Sequence, residues 1–436
     1  MRSRLAVCVV GMWCLMASAT AEAQPAPGSI PPQRIFAPAP YEAGNTWPDW
    51  GVPAYNDPGY ERLSSGPQFG PGPDGIITER ISGDRGGGYE DTPFDRFAIA
   101  VAKSTYIQLD YLNFDFEGPG RVQLGSNVAG VVDATRPFSA TIAGLPGTAR
   151  VPTTEGLRYK NSQGIRGLFG LPTSVGTFEA SIFTFDNDSS RKFEAVPPAL
   201  VLNPAAQIQI ATSTLLNGQP SNNLFLYNAS FEVATTANFY GAEANWLAKS
   251  PYEEGLVTRP LIGFRYLNFQ ETLFQTGVFT QINPSDVLSP SLVSLIDSGT
   301  ENRVFAPQIG VRLELVNPWI TLGFEPKVAF GVNNYSAFVS TERLRSPGDP
   351  RVFTEEEDTR FSPIGDFSVY GKIRVRENFS LQVGYQLIVA AGITRPANNI
   401  VYNDNGSSNP AAIVVDADHE RMVWQGLTIG GELRFR

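Results

Sequence analysis

The sequence predicts an all-β fold: an antiparallel up-and-down transmembrane β-barrel of about ten strands, within a range of roughly eight to twelve, behind an export signal and a Pro/Gly-rich disordered leader. Three observations carry this. Apolar residues recur at every second position in stretch after stretch from residue 104 to the end. The connections between those stretches alternate short and long. No later segment reaches the ~18 consecutive apolar residues that a membrane-spanning helix needs.

The first element is the export signal. Arg2 and Arg4 precede an apolar run from Leu5 to Met16, and Ala21 and Ala23 supply the small residues before a cut at Gln24, so residues 1–23 read as a signal peptide. Both cysteines, Cys8 and Cys14, lie inside it, and Trp13 argues against a lipoprotein cleavage site, where a small residue is needed. The exported chain then has no cysteine, which excludes disulfides, thiolate metal sites and cysteine nucleophiles. Residues 24–95 are dense in Pro and Gly ("QPAPGSIPPQRIFAPAP", "SSGPQFGPGPDG") and read as an extended leader, or as a segment ordered by a cell-wall contact or inside the barrel.

Residues 96–436 are assigned to the barrel. "STYIQLDYLNFDF" is the first strand, "GIRGLFGL" the second and "GTFEASIFTFD" the third; "LYNASFEVATTANFYGAEANWLA" reads as one long strand or two in series. "LVTRPLIGFRYLNFQ", "VFAPQIGVRLEL", "WITLGFEPKVAFGV", "RFSPIGDFSVYGKIRV" and "FSLQVGYQLIVAAGI" follow, and residues 422–436 close the set. Long polar connections are expected at 117–161, 187–222, 271–302, 334–360 and 395–420, with tight turns between. Such asymmetry is what an outer-membrane barrel requires, with tight turns on the periplasmic side, long loops outside and an even strand number. A secreted β-sandwich would also alternate, but does not call for that order of connections. Pro326 inside the seventh strand predicts a bulge there.

The facing pattern assigns roles. On the closing strand Leu427, Ile429, Gly431, Leu433 and Phe435 share the lipid face, and Glu432 and Arg434 the other. The same parity places Glu243, Arg265, Arg312, Glu314, Glu325, Lys327, Asp366, Lys372, Arg374, Glu432 and Arg434 in the lumen. Their signs nearly balance. A selective pore shows rings of one sign, whereas mixed charges in a narrow barrel pair and fill it. Trp246, Phe379 and Phe435 have lipid-facing parity beside short turns or the chain end, where an aromatic belt belongs.

At "RPLIGFRYLNFQETL", "QIGVRLEL" with "WITLGFEPKVAFGVN", and "FSLQVGYQLIVAAGITRPANNI", the chain resembles a family of outer-membrane β-barrel proteins from planctomycete bacteria that lacks an assigned activity. The resemblance runs from about Phe239 to the end. Its most specific matches are Gly263 to Leu267 and the pair Arg395 and Pro396. It implies a barrel in a Gram-negative-type outer membrane, whose partners are outer-membrane lipid and the insertion machinery that reads a terminal aromatic, here the penultimate Phe435.

Chemistry has few candidates. His419, the only histidine, stands with Asp416, Asp418 and Glu420, a set that could activate water, but no serine motif accompanies it and a polar loop rim is the plainer reading. Asp186 and Asp188, Glu355 to Asp358, and Asp404 lack the ligand spacing and turning glycine of a calcium loop. A formal charge of −10 with a pI near 4.9 excludes a nucleic-acid surface. The expectation is therefore a barrel with no catalytic residues, metal or cofactor, acting in structure or through a cell-wall or surface partner. A narrow passive channel and a rim-located hydrolase are the alternatives.

Overall fold

The computed structural model describes residues 105–142, 145–195, 208–280, 291–406 and 413–435. The expected signal peptide, residues 1–23, and leader, residues 24–95, lie outside the described residues, as does Arg436. In chain order the strands are β1 (Tyr106–Phe116), β2 (Phe138–Ile142), β3 (Leu145–Arg150), β4 (Tyr159–Pro172), β5 (Gly176–Phe185) and β6 (Asp188–Ala195). Then come β7 (Ile208–Leu216), β8 (Gln219–Tyr227), β9 (Ser230–Ala248), β10 (Gly255–Phe279), β11 (Leu292–Val316) and β12 (Ile320–Glu342). The last are β13 (Val352–Arg376), β14 (Phe379–Thr394), β15 (Ile400–Asp404), β16 (Ile413–Val415) and β17 (His419–Arg434).

Ten of these close into a ring in the order β10-β11-β12-β13-β14-β17-β1-β4-β5-β9, and β9 pairs back onto β10. The seam joins the first strand to the last, antiparallel from Tyr106 opposite Arg434 to Phe116 opposite Trp424. Closure leaves no edge, which is how strands satisfy their backbone in lipid. Around the outside, Leu109, Ile182, Ile262, Ile309, Val383 and Ile429 are all exposed, as a lipid-facing wall demands.

The unbroken apolar rows end at one level, above which outward apolar residues such as Phe274, Phe338 and Phe353 are interspersed with polar ones. Tyr266, Phe305, Val332 and Phe361 lie opposite one another on β10 to β13, and the next outward row is Asn268, Arg303, Asn334 and Thr359. Above this level the ladders continue. Strands β10, β11 and β13 are each 25 residues long, where ~9–11 suffice to cross a bilayer. The stretches 271–302 and 334–360 are therefore mostly strand, a correction to their reading as long loops. Outside lipid the outward positions no longer need to be apolar, so Glu301, Glu355 and Glu357 interrupt the hydrophobic period without interrupting the hydrogen bonds.

A second sheet, β16-β15-β7-β3-β2 with β8 on β7, occupies the other three stretches read as loops, 117–161, 187–222 and 395–420. It packs against the inner face of the tall wall. Phe231, Leu273, Ile296 and Val339 of the wall share one apolar core with Ile210, Tyr227, Tyr402 and Ile413 of the sheet. The barrel thus carries a two-layered sandwich at its long-loop end. The long fourth stretch divides here, since β8 belongs to the sandwich sheet and only β9 to the ring.

Pro326 makes no bulge. The β12–β13 register runs unbroken through Pro326 opposite Phe367, and the β11–β12 register is the same on both sides of it. The missing N–H costs the ladder its pairs at 311–326 and 312–325 and nothing more.

Candidate functional site

The ring interior is layered, because inward positions at equal height on neighbouring strands carry the same kind of side chain. Nearest the short turns, Tyr370 donates to Glu314 (2.8 Å), Arg259 reaches Glu314 (3.1 Å), and Arg434 and Lys372 both pair with Glu432, the former at 2.6 Å. The next layer crosses the lumen. Arg312 on β11 grips Glu179 on β5 through two bonds of 2.7 Å and also binds Glu325. Lys327 on β12 is 3.0 Å from Glu243 on β9 and 3.2 Å from Asp366 on β13. Arg265 on β10 is wholly buried, paired with Asp366 and, at 2.5 Å, with Glu243. Arg166 on β4 binds Asp110 on β1 (2.7 Å) and Gln386 on β14 (3.0 Å). A polar cavity of about 80 Å³ remains among Tyr106, Gln108, Arg312, Lys327, Lys372 and Glu432.

Above the charges lies an apolar layer. Phe239 sits at its centre, stacked on Trp424 (ring centroids 4.9 Å apart, 6° between planes) and ringed by Phe116, Phe185 and Phe269. These rings, with Phe114, Met422, Ile388 and Val304, form one buried cluster. Beyond it a fully buried pair ties the sandwich to the wall. Arg395 binds Glu271 through bonds of 2.8 and 2.7 Å and the Gly118 carbonyl at 2.9 Å, while the Tyr159 hydroxyl donates to Glu271 at 2.9 Å.

Of the charges assigned to the lumen by parity, Glu243, Arg265, Arg312, Glu314, Glu325, Lys327, Asp366, Lys372 and Glu432 point inward and are buried or half-buried. Arg374 and Arg434 stand at the short-turn rim, exposed. Trp246 and Phe435 are exposed and Phe379 half-exposed at the same end, joined there by Trp319. Sequence reasoning missed Asp110, Arg166 and Glu179, and missed the buried pair Glu271 and Arg395, placed at loop ends. It also missed an outer row of rings, Tyr240, Tyr266 and Phe305, on adjacent strands. The signal was available: all three rings keep lipid-facing parity.

His419 opens β17 at the outer rim. Its ring lies edge-on to Tyr335 (4.8 Å), and its Nδ1 is 3.3 Å from the Arg360 guanidinium. Asp418 accepts the His419 backbone N–H rather than orienting the ring. Among the described residues, no group of three or more His, Cys, Asp or Glu side chains is placed to hold a metal ion. Asp404 is instead buried against Arg345 and accepts from Asn223 (2.7 Å).

A family model described as "Putative beta barrel porin-7 (BBP7)" matches residues 106–435, the whole of the ring and its sandwich. The chain belongs to this family. As a member it is an outer-membrane β-barrel. Among solved structures it is similar to the outer membrane protease OmpT from Escherichia coli, at 12% identity and a TM-score of 0.41 over 77% of this chain and 97% of that one. It is also similar to a Pseudomonas aeruginosa FadL homologue, at 7% identity and a TM-score of 0.24 over 77% of this chain and 92% of that one. Likenesses this distant bear on neither activity nor substrate. Comparison with curated proteins finds no match.

Proposed function

We propose that the chain is a non-enzymatic outer-membrane barrel with a closed interior, acting as a structural or surface-interaction protein that offers its sandwich to the cell exterior. One observation carries this reading: cross-lumen ion pairs and an apolar layer are stacked along the same axis. A passing solute would have to break the first and dehydrate in the second. Ten strands also enclose far less space than the 16–18 of porins with a water channel.

On this reading the interior charges hold the wall together, and Trp246, Phe379 and Phe435 anchor the short-turn end in the interface. Residues 1–23 direct export and are removed, and residues 24–95 form a tether toward a cell-wall or surface partner. Insertion machinery and outer-membrane lipid are the other partners, and no nucleic acid or cofactor takes part. The family resemblance implies a planctomycete source. On this reading His419 is a rim residue: Asp418 accepts its backbone N–H and its ring Nδ1 lies against Arg360.

A narrow passive channel is the second reading, favoured by the polar cavity on the short-turn side of the apolar layer. Vesicles carrying the purified protein separate the two: osmotic swelling in small sugars or amino acids should match that of empty vesicles. Swelling above that level selects the channel. Hydrolysis of lipid or peptide that is lost in His419→Ala would select an enzyme instead.

A further inference from the structure

We propose that the lipid-facing wall carries a binding site for the phosphate-bearing headgroup of an outer-leaflet lipid, built around Arg303 on β9, β10 and β11. The site lies where headgroups must lie. Across four neighbouring strands the outward row changes from Tyr266, Phe305, Val332 and Phe361 to Asn268, Arg303, Asn334 and Thr359, so Arg303 stands one step above the last row that is apolar on all four strands. The rings of Tyr266 and Phe305 lie in the row beneath it and Tyr240 in its own row, opposite Asn268, and the three follow one another at 6.4 and 5.0 Å between centroids. Rings with a polar tip are the residues that sit at a membrane interface.

The charged group is held ready. Glu301 accepts from Arg303 Nε (2.8 Å) and Nη2 (2.6 Å), and is itself fixed by Asn268 Nδ2 (2.8 Å) and Gln270 Nε2 (3.0 Å). This fixes the plane of the guanidinium and leaves Nη1 for a ligand, on a side chain that is 55% exposed. A planar, weakly hydrated guanidinium with a free edge suits a phosphate better than an ammonium does. Asn268 adds a second observation. It has outward parity yet is only 1% exposed, and its Oδ1 has no hydrogen-bond partner. A buried acceptor without a donor is unfavourable, and a headgroup hydroxyl or amine at this spot supplies one. The site is independent of whether the lumen conducts.

The full chain, purified in non-ionic detergent and freed of lipid, would be titrated by native mass spectrometry with a bis-phosphorylated diglucosamine glycolipid and with its dephosphorylated counterpart. The phosphorylated lipid should bind preferentially. Arg303→Ala should weaken it about tenfold or more, as expected for a lost charge-assisted hydrogen bond, and Arg303→Lys should recover part. Arg191→Ala serves as control, because Arg191 is also an exposed arginine paired with a glutamate, Glu232, but lies on the extension above the ring belt. It should bind as the unaltered chain does, and a change of detergent-gel migration on boiling, expected of a closed barrel, reports that each variant is folded. Equal binding of the dephosphorylated lipid, no effect of Arg303→Ala, or the same loss in Arg191→Ala overturns the proposal. Inorganic phosphate binding as tightly as the lipid would overturn the lipid assignment.

Discussion

At the scale of the residue, the interior is ruled by what it costs to leave a charge unpaired. Arg312 satisfies two carboxylates at once, Glu179 across the lumen and Glu325 beside it. Arg312→Ala strands both, and a loss of about 3–5 kcal/mol is expected from breaking such a buried pair. The midpoint of denaturant unfolding in detergent checks this, and restoring neutrality with Glu179→Gln in the same chain should recover part of the loss. Asp349, in the turn between β12 and β13, supplies a pH test. It accepts from the backbone N–H groups of Arg345 (2.7 Å) and Ser346 (3.0 Å) and from the Ser346 hydroxyl (2.7 Å). Partial burial raises its pKa, but these bonds outweigh burial and hold it below the ordinary carboxylate value. The sign follows: its support is present above the unfolded value of roughly 3.9 and is lost as pH falls through the folded one. Hydrogen exchange at residues 343–351, corrected for intrinsic rate, should accelerate in that acid window. Asp349→Asn should show the faster exchange already at neutral pH.

At the scale of the element, the outward row reports the membrane and the ladder does not. Ile262 and Thr272 both face outward on β10, one inside the apolar belt and one above it. Ile262→Arg, a charge on the lipid face, should be destabilising by up to about 2–4 kcal/mol, while Thr272→Arg should fold like the parent. Folding yield into vesicles measures both. The same contrast explains what could be read in advance. Each ring strand was recognisable where it crosses lipid: Phe361, Phe367, Val369, Ile373 and Val375 alternate on β13 and mark it plainly. The rest of β13 was not, because Glu355 and Glu357 lie on its outer face and Glu356 and Asp358 on the other, leaving no hydrophobic period to detect. Strand β1 hid its charge in another way. Leu109 and Tyr111 face lipid while Leu112, Phe114 and Phe116 join the buried layer, so apolar residues on both faces masked Asp110 between them. Glu271 and Arg395 carried no sign of burial, since only their distant pairing makes it tolerable.

At the scale of the molecule, one ring serves two environments. Its lower half is a lipid-embedded barrel filled by ion pairs, and its upper half is one layer of a sandwich filled by apolar packing. Wall ladders continue from one half into the other. The whole should therefore behave as one heat-resistant unit, migrating differently on detergent gels before and after boiling. Recovery in a soluble fraction with no shift would argue against the closed ring. Planar-bilayer recording of the purified chain reads whether the lumen is shut. A lumen closed by its ion pairs and apolar layer leaves the membrane quiet at constant voltage; reproducible stepwise currents, with an ion preference altered by Arg312→Ala, would mean that it is open.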